Sequence, residues 1–262
     1  METGAMLHLQ NRIKLLGTRA LALREKDLDI REKTANWDIV TVADKHIEAG
    51  LTEYVQTFFP GDGIRGEEGA VRESRSGYEW IFDPIDGTTN YAAGLPFFAI
   101  SVGRLKDGVP DAGVAYFPAM NEMVAAVRGQ GTFLNGMLIG TRPFKGGLRD
   151  SVIAAGLSAE HTEMFPLLRS RCRNVLAFGS CVFESARVFL DRGLAAYIHT
   201  GAAPFDLAAV TLLVEETGCL VACLDAGHID FGRPKIPIAV AKNERILDEL
   251  RELWRAFVTI DE

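Results

Sequence analysis

Apolar residues recur three and four apart at the start of the chain, at Leu9, Ile13, Leu16, Ala20 and Leu23. That spacing predicts an amphipathic helix over residues 7–25. Residues 29–40 read as two extended segments around Thr34-Ala35-Asn36. Thr41 then has the character of a helix cap, and a helix runs from it towards Phe58, where Pro60-Gly61-Asp62-Gly63 ends it. Residues 64–66 read as a short strand and residues 70–77 as a mobile polar loop. From Trp80 the pattern shortens to that of strands. Apolar runs at 80–82, 97–105, 113–117 and 122–127 are separated by turn signals such as Lys106-Asp107-Gly108 and Arg128-Gly129-Gln130-Gly131, which predicts an antiparallel meander. A further hairpin is expected over 129–138. The second half alternates: strands at 152–155, 175–178 and 195–199, helices at 180–190, 204–217 and 243–257. The stretch 141–150 marks the boundary between two tightly packed halves of a single domain (1–262), about 1–145 and 146–262.

Composition narrows the class. A chain of 262 residues with 48% hydrophobic and 24% charged residues has enough apolar material for a substantial core. No run approaches the ~18 apolar residues that a membrane helix needs, and no basic segment leads into an apolar one at the N-terminus. The expectation is a cytoplasmic protein with no membrane partner. A net charge of −7 argues against nucleic acid as a partner. The four cysteines, Cys172, Cys181, Cys219 and Cys223, form no CxxC pair and have no histidines at zinc-ligand spacing, so they read as buried, reduced thiols.

The chemistry concentrates after Trp80-Ile81-Phe82, in Asp83-Pro84-Ile85-Asp86-Gly87-Thr88-Thr89-Asn90. Carboxylates suit hard divalent cations. A glycine followed by hydroxyl residues can open a helix whose free N–H groups hold a phosphate. Asp-Gly between apolar runs is also a common hairpin signal, so Asp86-Gly87 taken alone leaves a plain turn open. Pro84 suits a strand end. Two aspartates closing a buried strand repel unless a cation neutralises them. The octet therefore points to metal-assisted phosphate chemistry, and bound cations would let an acidic protein take an anionic ester.

The octet resembles the signature of the inositol monophosphatase family, the Mg²⁺- and Li⁺-sensitive phosphatases. Three more elements share the resemblance: Asp38-Ile39-Val40-Thr41-Val42-Ala43-Asp44, Gly66-Glu67-Glu68, and Pro204-Phe205-Asp206-Leu207-Ala208-Ala209 followed by Glu215-Glu216-Thr217-Gly218. Phe205 stands where the family usually has tryptophan. The resemblance implies an α/β (α+β) fold, a layered αβαβα sandwich of the sugar-phosphatase type. It further implies a Mg²⁺-dependent phosphomonoesterase acting on a small sugar or polyol phosphate, sensitive to lithium and homodimeric. The alternatives are a non-catalytic binding or regulatory protein on the same fold, or a relative specific for fructose 1,6-bisphosphate, histidinol phosphate or 3′-phosphonucleotides.

Residue by residue, the resemblance puts Glu67, Asp83, Asp86, Asp206 and the Ile85 carbonyl around two or three Mg²⁺ ions, with Mn²⁺ as a substitute. The donors are all oxygen, which agrees with that choice of metal. Alone, each acid would read as a surface carboxylate, Asp206 as a helix-dipole partner and Asp44 as a first-turn acid. Gly87 and Thr88 are expected to offer N–H groups to the phosphate. Thr88, paired with Asp44, would hold the attacking water, with Glu67 beside it. Lys33 matches a family loop lysine near the metals, although by itself it reads as solvated. Ser180, in Gly179-Ser180-Cys181, is expected beside the leaving alcohol. His199 lies seven residues before Asp206, where inositol-preferring members carry a glutamate. An imidazole brings one donor and one acceptor in place of a carboxylate, so broad action on polyol and sugar phosphates is expected, unless His199 simply ends a strand.

Overall fold

The structure is a computed structural model that describes residues 3–25, 31–32, 39–140 and 143–260. Helices α1 (Thr3–Arg24) and α2 (Val42–Phe58) pack together. The periodic positions Leu9, Ile13, Leu16 and Ala20 are all buried. Thr41 caps α2: its hydroxyl oxygen accepts from the Ala43 N–H (3.2 Å), and Asp44 accepts from the Thr41 N–H (2.8 Å). Strands β1 (Arg31–Glu32) and β2 (Ile39–Val40) pair antiparallel. The rest of the 29–40 segment, with Thr34-Ala35-Asn36 and Lys33, lies outside the described residues, as do Thr141 and Arg142 at the expected boundary.

The first sheet is the predicted meander, extended. It holds β3 (Gly63–Gly66), β4 (Val71–Arg72), β5 (Tyr78–Asp86), β6 (Ala99–Lys106), β7 (Val109–Phe117), β8 (Glu122–Val127), β9 (Thr132–Leu134) and β10 (Met137–Ile139), in the order β10-β9-β8-β7-β6-β5-β3-β4. All neighbours are antiparallel except β3 and β5. The short helix α3 (Thr88–Ala92) follows β5. The segment 70–77 is not wholly a loop: Val71 and Arg72 form the sheet's edge strand on β3. The Arg72 guanidinium ties it down by donating to the carbonyls of Phe59 (3.0 Å) and Asp62 (2.8 Å from Nε).

The second half contributes β11 (Val152–Gly156), α4 (Met164–Arg171), β12 (Asn174–Leu176), α5 (Cys181–Leu190), β13 (Leu194–Ala202), α6 (Pro204–Thr217), β14 (Leu220–Cys223), β15 (Ile236–Ala241) and α7 (Glu244–Ile260). Its strands form a mixed sheet in the order β12-β11-β13-β15-β14. The hydrophobic pattern does not predict α4 and β15. Pro166 obscures a one-face pattern in α4. Strand β15 is apolar and buried at every position and contains Pro237, so it shows no alternation.

The layers follow from strand alternation. Trp80 and Phe82 join the core formed with α1 and α2, whereas Ile81 joins the core formed with α5 and α6. The five-stranded sheet covers the far side of α5 and α6, and α4 and α7 close its outer face. The result is the expected αβαβα sandwich. Helix α6 lies unusually close to the first sheet. A Cβ on Gly103 would come within 2.5 Å of the Ala208 backbone, and one on Gly113 within 2.9 Å of the Ala209 carbonyl oxygen. Phe98, Ala99 and Ile100 sit in the protein's own core, and in the apolar run 94–102 Leu95 is exposed (44%). All four cysteines are buried and unbridged. Among the described residues, no helix is long and apolar enough to cross a membrane.

Candidate metal and phosphate site

Asp83 lies two residues beyond Ile81, so strand alternation sends it to the α6 side of the sheet. The ladder with β6 shifts register between Asp83 and Asp86, where Pro84 has no N–H to donate. Asp206 is the third residue of α6, held as its carboxylate accepts from the Ala203 N–H (2.8 Å). One carboxylate oxygen from each of Asp83, Asp86 and Asp206 lies within 4.8 Å of the others. Glu67 follows β3, with its N–H donating to the Phe82 carbonyl (3.2 Å), and its carboxyl lies against Asp83.

Burial dominates the electrostatics. It pushes Asp83 well above the usual carboxylate range, and the charges of Glu67, Asp86 and Asp206 add to the shift. Asp206 is pushed well up by burial and then by Asp86 and Glu67. Burial raises Asp86 to about 6, although hydrogen bonds from Ser180, Val182 and Cys181 oppose it. Oδ1 of Asp83 is buried with no hydrogen-bond partner among the described residues. An orphaned, buried carboxylate oxygen amid like charges is where a cation fits. The nearby Cys181 thiol is held protonated by burial and by the neighbouring aspartates, so it adds no thiolate to the oxygen donors. The donor set matches Mg²⁺ or Mn²⁺.

Thr88 opens α3. Its hydroxyl donates to the Ile85 carbonyl (3.0 Å) and lies 3.4 Å from Oδ1 of Asp44. The Ile85 carbonyl therefore already has one partner, and its second lone pair stays available. Burial raises Asp44 to about 6 against the hydrogen bonds from Thr41. Gly87 takes the left-handed conformation (φ 86°), which a side chain would strain.

Other expected site residues are engaged by the protein's own groups. The Ser180 hydroxyl donates to Asp86 and accepts from the Phe183 N–H (3.2 Å) as the cap of α5. The Asp86 carboxylate also accepts from the N–H groups of Cys181 (3.0 Å) and Val182 (3.1 Å). The His199 Nδ1 accepts from the Gly201 N–H (3.0 Å), and burial lowers the imidazole to about 4, so it is neutral with its proton on Nε2. Two further buried glutamates brace the site. Glu48, one turn after Asp44 on α2, accepts from the N–H groups of Glu68 (2.8 Å) and Ala70 (2.9 Å) and so holds the turn that carries Glu67. Glu184 accepts from the Phe178 N–H (2.7 Å). Neither carries a clear sequence signal: Glu48 is flanked one turn away by Asp44, Lys45 and Thr52 as well as Leu51, and Glu184 by Ser180 and Arg187 as well as Cys181 and Val188.

The sequence model of the inositol monophosphatase family matches residues 7–255. The chain belongs to the inositol monophosphatase family. An inositol-1-monophosphatase of Mesorhizobium japonicum is 34% identical over 73% of this chain and 74% of its own length. A protein of Pasteurella multocida named Nus factor SuhB is 33% identical over 78% of this chain and 79% of its own. A solved structure of a Thermotoga maritima IMPase superposes with a TM-score of 0.86 at 26% identity, covering 96% of this chain and 97% of that one. As an inositol monophosphatase family member, the chain is a phosphatase, a phosphoric monoester hydrolase.

Proposed function

We propose that this protein is a Mg²⁺-dependent phosphomonoesterase that hydrolyses a small sugar or polyol phosphate. The observation that carries the reading is the convergence of Asp83, Asp86 and Asp206, three buried carboxylates within 4.8 Å that only a cation would let ionise together. Glu67 and the Ile85 carbonyl complete the oxygen set for two or three ions. Bound there, Mg²⁺ supplies charge neutralisation of the phosphate and a more acidic water.

The chain's own groups do the rest. The N–H groups of Gly87 and Thr88, at the first turn of α3, face the phosphate oxygens. Asp44 orients Thr88, whose hydroxyl oxygen accepts a hydrogen bond from the attacking water and sets its line of approach. Glu67 stands beside that water as a proton acceptor. No nucleophilic side chain is needed. The donor Nε2–H of His199 faces a substrate hydroxyl where a carboxylate would select inositol, so the enzyme accepts a range of polyol phosphates. Lithium, a small hard cation, competes at the same oxygens. The functional unit is a cytoplasmic homodimer.

The test is phosphate release from a panel of sugar phosphates with and without Mg²⁺. Turnover is expected only with the metal, and equal rates in EDTA would sink the reading. A second reading, a non-catalytic regulatory protein, finds support in the relatives named Nus factor SuhB. It predicts Mg²⁺ binding without turnover of any ester in the panel. Retention of every carboxylate favours the enzyme.

A further inference from the structure

The signature octet ends in Asn90, to which the chemistry above gives no task. Asn90 is buried, and its Nδ2 faces three carbonyl oxygens: Phe97 (2.8 Å), Phe178 (2.6 Å) and Gly179 (3.2 Å). Three acceptors around one group identify that group as the amide NH₂. Phe178 and Gly179 begin the loop that leads into α5. From the other side, Glu184 accepts from the Phe178 N–H (2.7 Å). Gly179 is in the left-handed conformation (φ 74°), and the next three residues turn back onto Asp86 with the Ser180 hydroxyl and the Cys181 and Val182 N–H groups. One octet thus grips one loop twice, through Asn90 at its start and Asp86 at its end. Gly87 permits the approach, because a Cβ there would come within 2.9 Å of the Phe97 carbonyl oxygen and 3.0 Å of the Ser180 Cβ.

We propose that Asn90 is a positioning residue for Asp86: by clasping the Phe178–Gly179 carbonyls it seats the three donors that aim the Asp86 carboxylate at the cation cluster. The idea rests on the reading of Asp86 as a metal ligand. Three donors leave Asp86 little freedom, and a ligand fixed in advance binds without an ordering cost at the moment of binding. Without the amide, the loop loses its anchor to α3, and the Ser180, Cys181 and Val182 donors drift together.

The experiment compares wild type with Asn90→Leu, which keeps the shape and removes the donors. Binding of Mn²⁺ alone is followed by electron paramagnetic resonance, and backbone amide exchange by NMR. The expected result is a loss of roughly 10- to 100-fold in Mn²⁺ affinity. The Cys181 and Val182 amides are expected to exchange about tenfold faster, while the Ala203 amide, bound to Asp206, keeps its wild-type rate. Leu250→Ala, a cavity in the outer layer, is the control for general destabilisation and should leave Mn²⁺ affinity unchanged. If Asn90→Leu does not fold, Asn90→Ser, with a single donor, is measured in the same way. Wild-type affinity together with wild-type exchange at Cys181 and Val182 in the variant overturns the proposal. A wild-type protein that binds no Mn²⁺ overturns the metal reading instead, and the two amide rates still decide whether Asn90 holds the clasp.

Discussion

Gly103 of β6 lies directly beneath Ala208 of α6, so close that a Cβ on the glycine would come within 2.5 Å of the Ala208 backbone. This contact gives the Asp-Leu-Ala-Ala run its physical meaning. Small residues on both sides let α6 settle onto the sheet, and Asp206, two residues before Ala208, is thereby brought to Asp83. Gly103→Ala should force the helix outward, costing about 1–3 kcal/mol of stability, and should lower Mg²⁺-dependent activity. Thermal unfolding and a metal titration together check this. Gly4→Ala, where a Cβ meets nothing within 4 Å, should leave activity unchanged.

On the proposed mechanism, Thr88 and Asp44 act as a unit on the water. Thr88→Val removes the hydroxyl without changing the shape and should lower kcat by about 10²–10⁴-fold with little change in KM. Thr88→Ser should retain most of the rate. If Asp44 acts through Thr88, adding Asp44→Asn to Thr88→Val should cost little more than the worse single change. Steady-state kinetics on any accepted ester decides it.

Without a cation, Asp83 should destabilise the fold. Burial and three neighbouring carboxyls oppose its charge, so Asp83→Asn should stabilise the metal-free protein while abolishing turnover. Denaturant unfolding in EDTA measures the first and phosphate release the second. A variant that turns over every ester at the wild-type rate would refute the ligand assignment.

Stability should depend on pH with a definite sign. The carboxyls of Asp44 and Asp86 are raised from 3.8 to about 6. Each therefore contributes stability that is fully present below 3.8 and is lost as pH rises through about 6. The metal-free protein should unfold at progressively lower temperature as pH increases across that window. If Asp86 ligates Mg²⁺ as proposed, protons and Mg²⁺ compete for its oxygens, and the rise in Tm on adding Mg²⁺ should be larger above the window than below it. Thermal scans at several pH values, with and without Mg²⁺, test both statements.

His199 is neutral because burial lowers it to about 4, and the Gly201 N–H occupies its Nδ1 (3.0 Å). What remains for a ligand is a donor. His199→Glu would supply acceptors and should raise the kcat/KM preference for inositol 1-phosphate over glycerol 2-phosphate by roughly ten- to a hundredfold. An unchanged ratio would place His199 away from the substrate.

The sequence alone determined the local events. Helical spacing marked α1, and the Thr41 cap marked the start of α2. Turn residues punctuated the meander, and four short motifs carried the acids, because periodicity, capping and turn chemistry act over a few residues. Where those rules conflicted, the pattern misled. Pro166 and Pro237 hid α4 and β15, and the polar run at 70–77 concealed an edge strand held by Arg72. Tertiary structure alone decided which groups meet. Strand alternation turns Asp83 towards α6, and the glycine–alanine contact lets Asp206 reach it. The cap of α5 takes the Ser180 hydroxyl for Asp86, and Asn90 closes on a loop far along the chain. Burial, a property of the packed layers, then sets the charge state of Asp44, Asp86 and His199. None of these has a local signature, because each depends on two distant segments excluding water from the same place.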